Sequence, residues 1–473
     1  MRQTTISTLF ALSLAACGDD ASPGSDATDV AVEASDTTTP DSTSPDVPMP
    51  DTSAPDVTSP DTREPEVATP DTANDVTIGR SNTCTAPSSA AVADAKLPAG
   101  FCASVWAQNL DNPRGLFVAA DGDVLVVERG LGQVTALWDA DRDGLSGTGE
   151  RAPIVKASGL NHGVSVHGGF LYASSSSTVF RWAYAPGTRT DLGNAEVVVK
   201  GMPGSGGHTT RTLVFDAAGR LYVSCGSASN VDANSARARI RRFDLGTVPS
   251  GGIAFDSGEV FADGLRNEVG LTVDGNDKVW GVQNGIDLIN RDDLGGDIHE
   301  DNPAEILSRF DTAGAFHGYP YCWTEYSLPA NVGKGPGTMW AHESTMKDGT
   351  HSDAWCQNPA NVDPPELAMQ AHSAPLDLEF YNGTSFPESY RGDLFITFHG
   401  SWNRDQPTGY KVVHVDIDAS GHPSAPESFF EYAGQDANGW PHRPVGIRVG
   451  HEGQLFVTSD ASDRILVIGN SGD

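Results

Sequence analysis

The sequence predicts an all-β chain, a six-bladed β-propeller with a loop-rich lid inserted on one face. Two observations carry this. A phrase recurs six times after residue 110: an apolar strand of alternating pattern, a tight turn, often Asp-Gly or Gly-Gly, and a second apolar strand. The copies cover residues 114–128, 162–175, 211–227, 269–284, 376–399 and 445–460, at comparable steps with one larger gap. Two-strand units repeated in this way bury their faces against one another around a ring.

Ahead of the blades, Met1 and Arg2, a short apolar run and then Leu14, Ala15, Ala16 and Cys17 read as a bacterial lipoprotein signal. The expectation is export and lipidation at Cys17. Gly18 and Asp19 follow with no aspartate directly after the cysteine, which favours an outer-membrane anchor facing the periplasm or the surface. Residues 18–80 repeat Thr-Pro-Asp and Ser-Pro-Asp and hold almost no large apolar side chains, so they are expected to form a disordered acidic linker. The first 80 residues carry −12 of the formal net charge of −33, which leaves −21 on residues 81–473, the propeller domain. Acidity on both parts excludes a nucleic-acid partner, which needs a basic footprint. The membrane is expected to be reached only through the lipid.

Five cysteines follow Cys17. Cys322 and Cys356 share one loop-rich insertion, and Cys84 and Cys102 flank the approach to the first blade, so these are the expected disulfides in an exported chain. Cys225 lies inside a strand and reads as a buried free thiol. No spacing is CxxC or CxxCH, and no GxGxxG follows a strand and opens a helix, so zinc-ribbon, c-type haem and nicotinamide readings fail.

A propeller puts the start of each inner strand and the end of its partner on one rim. Before or at the inner strands come Arg114, His162, His208 with Arg211, Arg266 with Asn267, His372 and Arg443. At the second-strand ends come Glu128 with Arg129, Ser175, Ser227, Gln283 with Asn284, His399 and Asp460. An acidic protein that gathers His and Arg around one axis is expected to build a pocket for an anionic ligand. The plainer alternative is that each Arg pairs with a neighbouring carboxylate. The segment of about 285–371, rich in Gly, Pro, Trp and Tyr, leaves from the same rim and reads as a lid.

These residues also carry a resemblance. Gly206-Gly207-His208 with TTRTL after it, Gly264-LRNEVGL, Gln283-Asn284-Gly285, His317-GYPYCW, Gln370-AHSAPLDLEFY, His399-GSWNRDQPTGYK and His442-RPVG resemble the glucose/sorbosone dehydrogenases that use pyrroloquinoline quinone (PQQ). The sorbosone- and pyranose-dehydrogenase-like branch is the most similar, from about Leu97 to Ile468. The resemblance implies a sugar, sugar aldehyde or polyol as substrate, His208 as general base, and Arg266 acting at both catalysis and cofactor binding. It implies PQQ held by Arg266, Asn267, Gln283, Asn284, His399, Arg404 and Arg443, with His162 and Arg114 from the same rim. It places a Ca²⁺ at Gln283, Asn284 and Gly285 and an unidentified electron acceptor, a cytochrome or a quinone. Two positions depart from the glucose-oxidising members. Ser227 stands where they have an aspartate orienting the histidine, and His399, with Arg404 close behind, stands where they have a lysine.

Asp139, Asp141, Asp143 and Gly144, with Glu150 in twelfth place, match a calcium-loop pattern without flanking helices, which predicts a structural Ca²⁺ clip. The acidic run Asp287, Asp292, Asp293, Asp297, Asp301 and Glu305 is expected to support the catalytic calcium from behind. Two other functions stay open on the sequence. A lactonase-type calcium hydrolase needs axial Glu, Asn and Asp and no arginine ring. A non-catalytic carbohydrate-binding or adhesion propeller would suit the acidic linker and the missing aspartate.

Overall fold

The computed structural model describes Cys84, residues 90–434 and residues 436–471. The expected signal, Cys17 and the whole of the acidic linker lie outside the described residues. Six sheets, antiparallel apart from one short parallel edge pairing in each of the second and third, follow one another around an axis. Their inner hairpins are Pro113–Val118 with Val124–Glu128, Leu160–His167 with Phe170–Ser175, Leu213–Phe215 with Leu221–Cys225, Glu268–Val273 with Val279–Gln283, Pro375–Phe380 with Leu394–Phe398, and Pro444–Val449 with Leu455–Ser459. All six sequence repeats are these hairpins.

Alternation explains the packing. Successive side chains of a strand point to opposite faces, and in a ring each face meets a different neighbour. Tyr222 therefore joins the cluster with the fourth blade, whereas Leu221 and Val223 join the cluster with the second. Trp280 and Val282 face the fifth blade while Val279 faces the third. An apolar cluster fills each of the six blade interfaces.

The ring closes through Phe101–Gln108, which pairs antiparallel with Arg464–Asn470 and so completes the last blade from the other end of the chain. Cys84–Cys102 pins that strand, Cys322–Cys356 is also formed, and Cys225 is a buried free thiol. Near the axis the inner strands crowd. A Cβ on Gly115 would lie 2.3 Å from the carbonyl oxygen of His162 on the next blade, which explains a glycine at the start of that strand. Hydroxyls link the blades at the same depth: Ser174 donates to the Arg211 carbonyl at 2.6 Å, Thr397 to Val445 at 2.6 Å and Thr458 to Arg114 at 2.7 Å.

The lid expectation needs correction. Glu305–Phe310 and Leu367–Met369, inside the supposed insertion, are the third and fourth strands of the fourth blade. Two excursions remain, over 285–304 and 311–366. They share a core of Ile286, Ile289, Leu294, Tyr319, Trp323 and Trp340 and pack against Ala238 of the third blade.

Candidate active site

His208 stands in the loop before the third inner strand, outside any ladder, so its backbone groups need other partners. Buried Arg211 supplies them, donating to the carbonyls of Pro203 (2.7 Å), His208 (2.9 Å) and Thr210 (2.6 Å). Buried Arg237 adds bonds to the carbonyls of Gly226 (3.0 Å), Ser227 (3.2 Å) and His208 (3.3 Å). Arg211 was expected on the rim; it is a brace beneath it. A Cβ at Gly226 would sit 2.6 Å from both His208 Cβ and Asn267 Oδ1, so glycine is what lets the third-blade loop meet the fourth blade.

The hydrogen bonds fix the tautomer of His208. Ser227 Oγ donates its proton to the Ser229 carbonyl at 2.7 Å, so toward His208 it can only accept. Nδ1 of His208 lies 2.9 Å from that oxygen and 3.1 Å from the Ser227 carbonyl, two acceptors. The proton therefore resides on Nδ1, and Nε2 keeps its lone pair. Burial, with the positive charge of Arg266 adding to it, pushes the imidazole down to about 3, so the ring is neutral at ordinary pH.

Arg266 is buried and fully oriented. Its Nη2 donates to Asn230 Oδ1 (2.9 Å) and Asp287 Oδ2 (2.8 Å), and its Nε donates to the Asn230 carbonyl (3.1 Å). Its amide donates to Gln283 Oε1 at 2.9 Å. Asn267 Nδ2 reaches Asn284 Oδ1 at 3.1 Å, and Asn284 Nδ2 crosses to the Pro375 carbonyl of the fifth blade at 2.8 Å. Gln283 thus ends its strand and Asn284 and Gly285 continue from it, with the Gly285 amide donating to Glu305 Oε2 at 2.7 Å. Burial pushes the Glu305 carboxyl up to about 7, against the pull of His372.

Of the acidic run, Asp287 and Glu305 lie at this site and the rest do not. Asp293 pairs with Arg291 at 2.7 Å, Asp297 with His299 at 2.6 Å and Asp301 with Arg404 at 3.1 Å. Asp292 is exposed. Asp287 also accepts from Asn403 Nδ2 at 3.0 Å, which ties the fourth-blade excursion to the fifth-blade loop.

The expected ring of cations is partly neutralised in place. Arg114 Nη1 and His399 Nε2 hold the two oxygens of Asp460 at 2.5 and 2.8 Å, and these partners keep that carboxyl below the usual carboxylate range although burial opposes them. Arg404 meets Asp301 and the Glu300 carbonyl. His372 Nε2 turns to the carbonyls of His299 (2.5 Å) and Asn302 (3.2 Å). Here the plainer pairing describes the residues. Arg443 differs: its Nε and Nη2 donate to the carbonyls of His399 (3.1 Å) and Gly400 (2.8 Å), with no carboxylate on it among the described residues. His162 is buried with Nδ1 unpartnered, and burial, then Arg114, holds its imidazole well below the usual range.

The Asp139 loop brings Asp139, Asp141 and Asp143 together, with ligand oxygens within 4.8 Å of one another. Glu150 instead accepts from the amides of Ala140 (2.6 Å) and Gly147 (3.0 Å). Asn230, Arg237 and Asn403 were missed by the sequence reading. Asn403 lay in a quoted motif, but nothing local in the sequence marks Asn230 or Arg237.

The rim of this propeller sets an oriented, neutral histidine beside buried and carbonyl-held arginines. The chain belongs to the TrAA12-like family, whose model matches residues 95–471. It is 34% identical over 409 residues to a PQQ-dependent pyranose dehydrogenase of Coprinopsis cinerea, covering 78% of this chain and 54% of that protein. The chain thus spans about half the length of that relative. The solved holo PQQ domain of a pyranose dehydrogenase from Coprinopsis cinerea superposes with a TM-score of 0.70 at 31% identity, covering 80% of this chain and 97% of that one. A calcium structure of a Trichoderma reesei family AA12 protein gives 0.70 at 29% identity, covering 82% and 98%.

Proposed function

We propose that this chain is a PQQ- and Ca²⁺-dependent sugar dehydrogenase in which His208 Nε2 takes the proton of the substrate hydroxyl. The observation that carries the proposal is the His208–Ser227–Ser229 relay, which leaves a neutral base on a rim with oriented arginines. The residues fit a flat polycarboxylate cofactor, because Arg443 presents a guanidinium held by two carbonyls and the Tyr410 ring and by no carboxylate among the described residues, and Arg266 is locked in direction by Asn230 and Asp287. The strand end at Gln283 with Asn284 and Gly285 after it, backed by half-buried Asp287 and buried Glu305, supplies oxygens and negative charge suited to a calcium ion. PQQ, when bound there with calcium, supplies the hydride acceptor.

The chain's own residues do the rest. Ser227 holds the imidazole so that its lone pair faces the hydroxyl. Arg211 and Arg237 fix the loop, and burial keeps the ring neutral until it receives the proton. Ser227 adds no charge to stabilise the protonated ring, unlike an aspartate, which favours a substrate other than glucose. The lactonase-type and adhesion alternatives are not favoured: this rim is set with His and Arg, and a binding module has no need of a fixed proton acceptor.

Reconstitution with PQQ and Ca²⁺ tests the proposal, with dye reduction followed across a panel of monosaccharides, sugar aldehydes and polyols. Cofactor-dependent reduction is expected, and its absence with every substrate would overturn the reading. We also propose lipid attachment at Cys17 and delivery of electrons to an envelope cytochrome or quinone. Cys17→Ser should move the protein from the membrane to the soluble fraction.

A further inference from the structure

The third-blade loop 227–232 holds both halves of the candidate site: Ser227 orients His208, and Asn230 orients Arg266. Two consecutive carbonyls take part. The Ser229 carbonyl accepts from Ser227 Oγ at 2.7 Å, and the Asn230 carbonyl accepts from Arg266 Nε at 3.1 Å. One further side chain reaches both. Tyr319 Oη lies 3.2 Å from the Asn230 carbonyl and 3.4 Å from the Ser229 carbonyl, and it accepts the Asp232 amide at 2.7 Å. Its single proton is shared between the two carbonyls, while its lone pair holds the far end of the loop. Burial raises the Tyr319 phenol, and Ser227 and the Arg266 charge act against that rise, which puts both site groups beside the same oxygen.

Tyr319 comes from the longer excursion of the fourth blade, and backbone pairing sets its place. Ala315–Phe316 pairs in parallel with the strand Glu259–Asp263. His317 and Tyr319 then donate their amides to the carbonyls of Asp263 (2.8 Å) and Gly264 (3.0 Å), the latter two residues ahead of Arg266. A Cβ on Gly264 would lie 2.6 Å from the Phe316 ring, so glycine permits this approach. The Tyr319 ring is buried in the shared core of the excursions, which Cys322–Cys356 closes, and it lines a small cavity with Gln283 and Gly285.

We propose that Tyr319 is a positioning residue that couples the base to the cofactor arginine, its hydroxyl fixing the Ser229 and Asn230 carbonyls so that His208 and Arg266 are aimed together. Without the phenol, the Ser229 carbonyl can move off Ser227 Oγ. The serine proton is then able to turn to Nδ1 of His208 and let the ring take the opposite tautomer, with no lone pair left on Nε2. The effect on turnover rests on the sugar-oxidising proposal; the effect on the tautomer does not.

The test is Tyr319→Phe in the full chain, which keeps the ring and its packing and removes only the hydroxyl. Loaded with PQQ and Ca²⁺, the variant should show kcat lower by about tenfold, and titration should show PQQ affinity weaker by about tenfold, each the scale of one buried hydrogen bond left unmade. Nitrogen-15 NMR of histidine-labelled protein without cofactor gives a readout free of activity, with the His208 signal assigned by its loss in His208→Gln. The wild type should show one tautomer with the proton on Nδ1, and Tyr319→Phe a mixture of two. A lower melting temperature with kcat, PQQ affinity and tautomer all unchanged would reduce Tyr319 to a packing residue and overturn the proposal. A loss in only one of kcat and PQQ affinity would also overturn it, since base and arginine would then not be coupled. If the wild type oxidises no sugar, the sugar-oxidising proposal fails while the tautomer still decides the role of Tyr319.

Discussion

The two ends of the propeller axis both bury ionisable groups and do different things with them. At the end away from His208, a cavity of about 390 Å³ is lined by Phe117, Val166, Phe215, Val273, Glu379 and Arg448. There Arg448 donates to Asp377 at 2.6 Å, with Glu379 at 3.8 Å, and Asp377 accepts the amides of Ile447 and Leu378 at 3.0 Å each. Burial pushes Glu379 up to about 7, Arg448 opposing it. Each of these donors meets a partner, so the cluster is structural. At the other end His208 keeps a lone pair and Arg443 a charge that no carboxylate among the described residues holds. Buried charge alone does not mark a site; capacity left uncommitted by the fold does.

The largest expected effect breaks the comparison at its chemical end. His208→Ala should cut turnover by roughly 10²–10⁴, the usual weight of a positioned general base, with little change in melting temperature. Wild-type turnover would remove His208 from the chemistry. Arg448→Ala should do the reverse, costing about 3 kcal/mol of stability because a buried carboxylate loses its partner, while turnover per folded molecule persists. Denaturant unfolding of the variant beside its kinetics separates the two ends.

Ser227→Ala sharpens the chemical end further. It removes one acceptor of the Nδ1 proton but leaves the Ser227 carbonyl at 3.1 Å. A fall in kcat of about tenfold is expected, within the worth of one hydrogen bond. The effect that vanishes at neutral pH is on the pH dependence of stability. His208 is depressed to about 3 in the folded protein, so the unfolded chain takes up a proton near pH 6.5 that the folded chain refuses. The contribution of His208 to stability is therefore constant above pH 6.5 and falls as pH drops from there toward 3. Melting curves of the wild type and His208→Gln should run parallel above pH 6.5, and below it the wild type should lose more.

The ring was legible because each blade's alternation serves two interfaces at once, so Tyr222 and Leu221 both had to be apolar. The third and fourth strands of the fourth blade were not legible, because long excursions part Glu305–Phe310 and Leu367–Met369 from the hairpin they complete. His208, Arg266 and Asn267 could be read from their place before inner strands. Their partners could not. Arg114 meets Asp460 across 346 residues and Asn403 meets Asp287 across 116, and only the closed ring brings them together. The repeated phrase likewise contained Ser174, Thr397 and Thr458, but not the fact that their hydroxyls link neighbouring blades.

The strand Phe101–Gln108 completes a sheet whose other members are the last to be made. During synthesis the ring stays open until Arg464–Asn470 emerges, and the loop that must then close is nearly the whole domain. Such long-range pairing raises contact order and slows folding. It also orders events on the rim. The bonds of Asp460 to Arg114 and His399 join the sixth blade to the first and the fifth, so the face bearing His208 is finished only when the final blade docks. A nascent chain exposes five blades and no complete pocket, and losing either terminal strand should unmake the rim before it unmakes the blades.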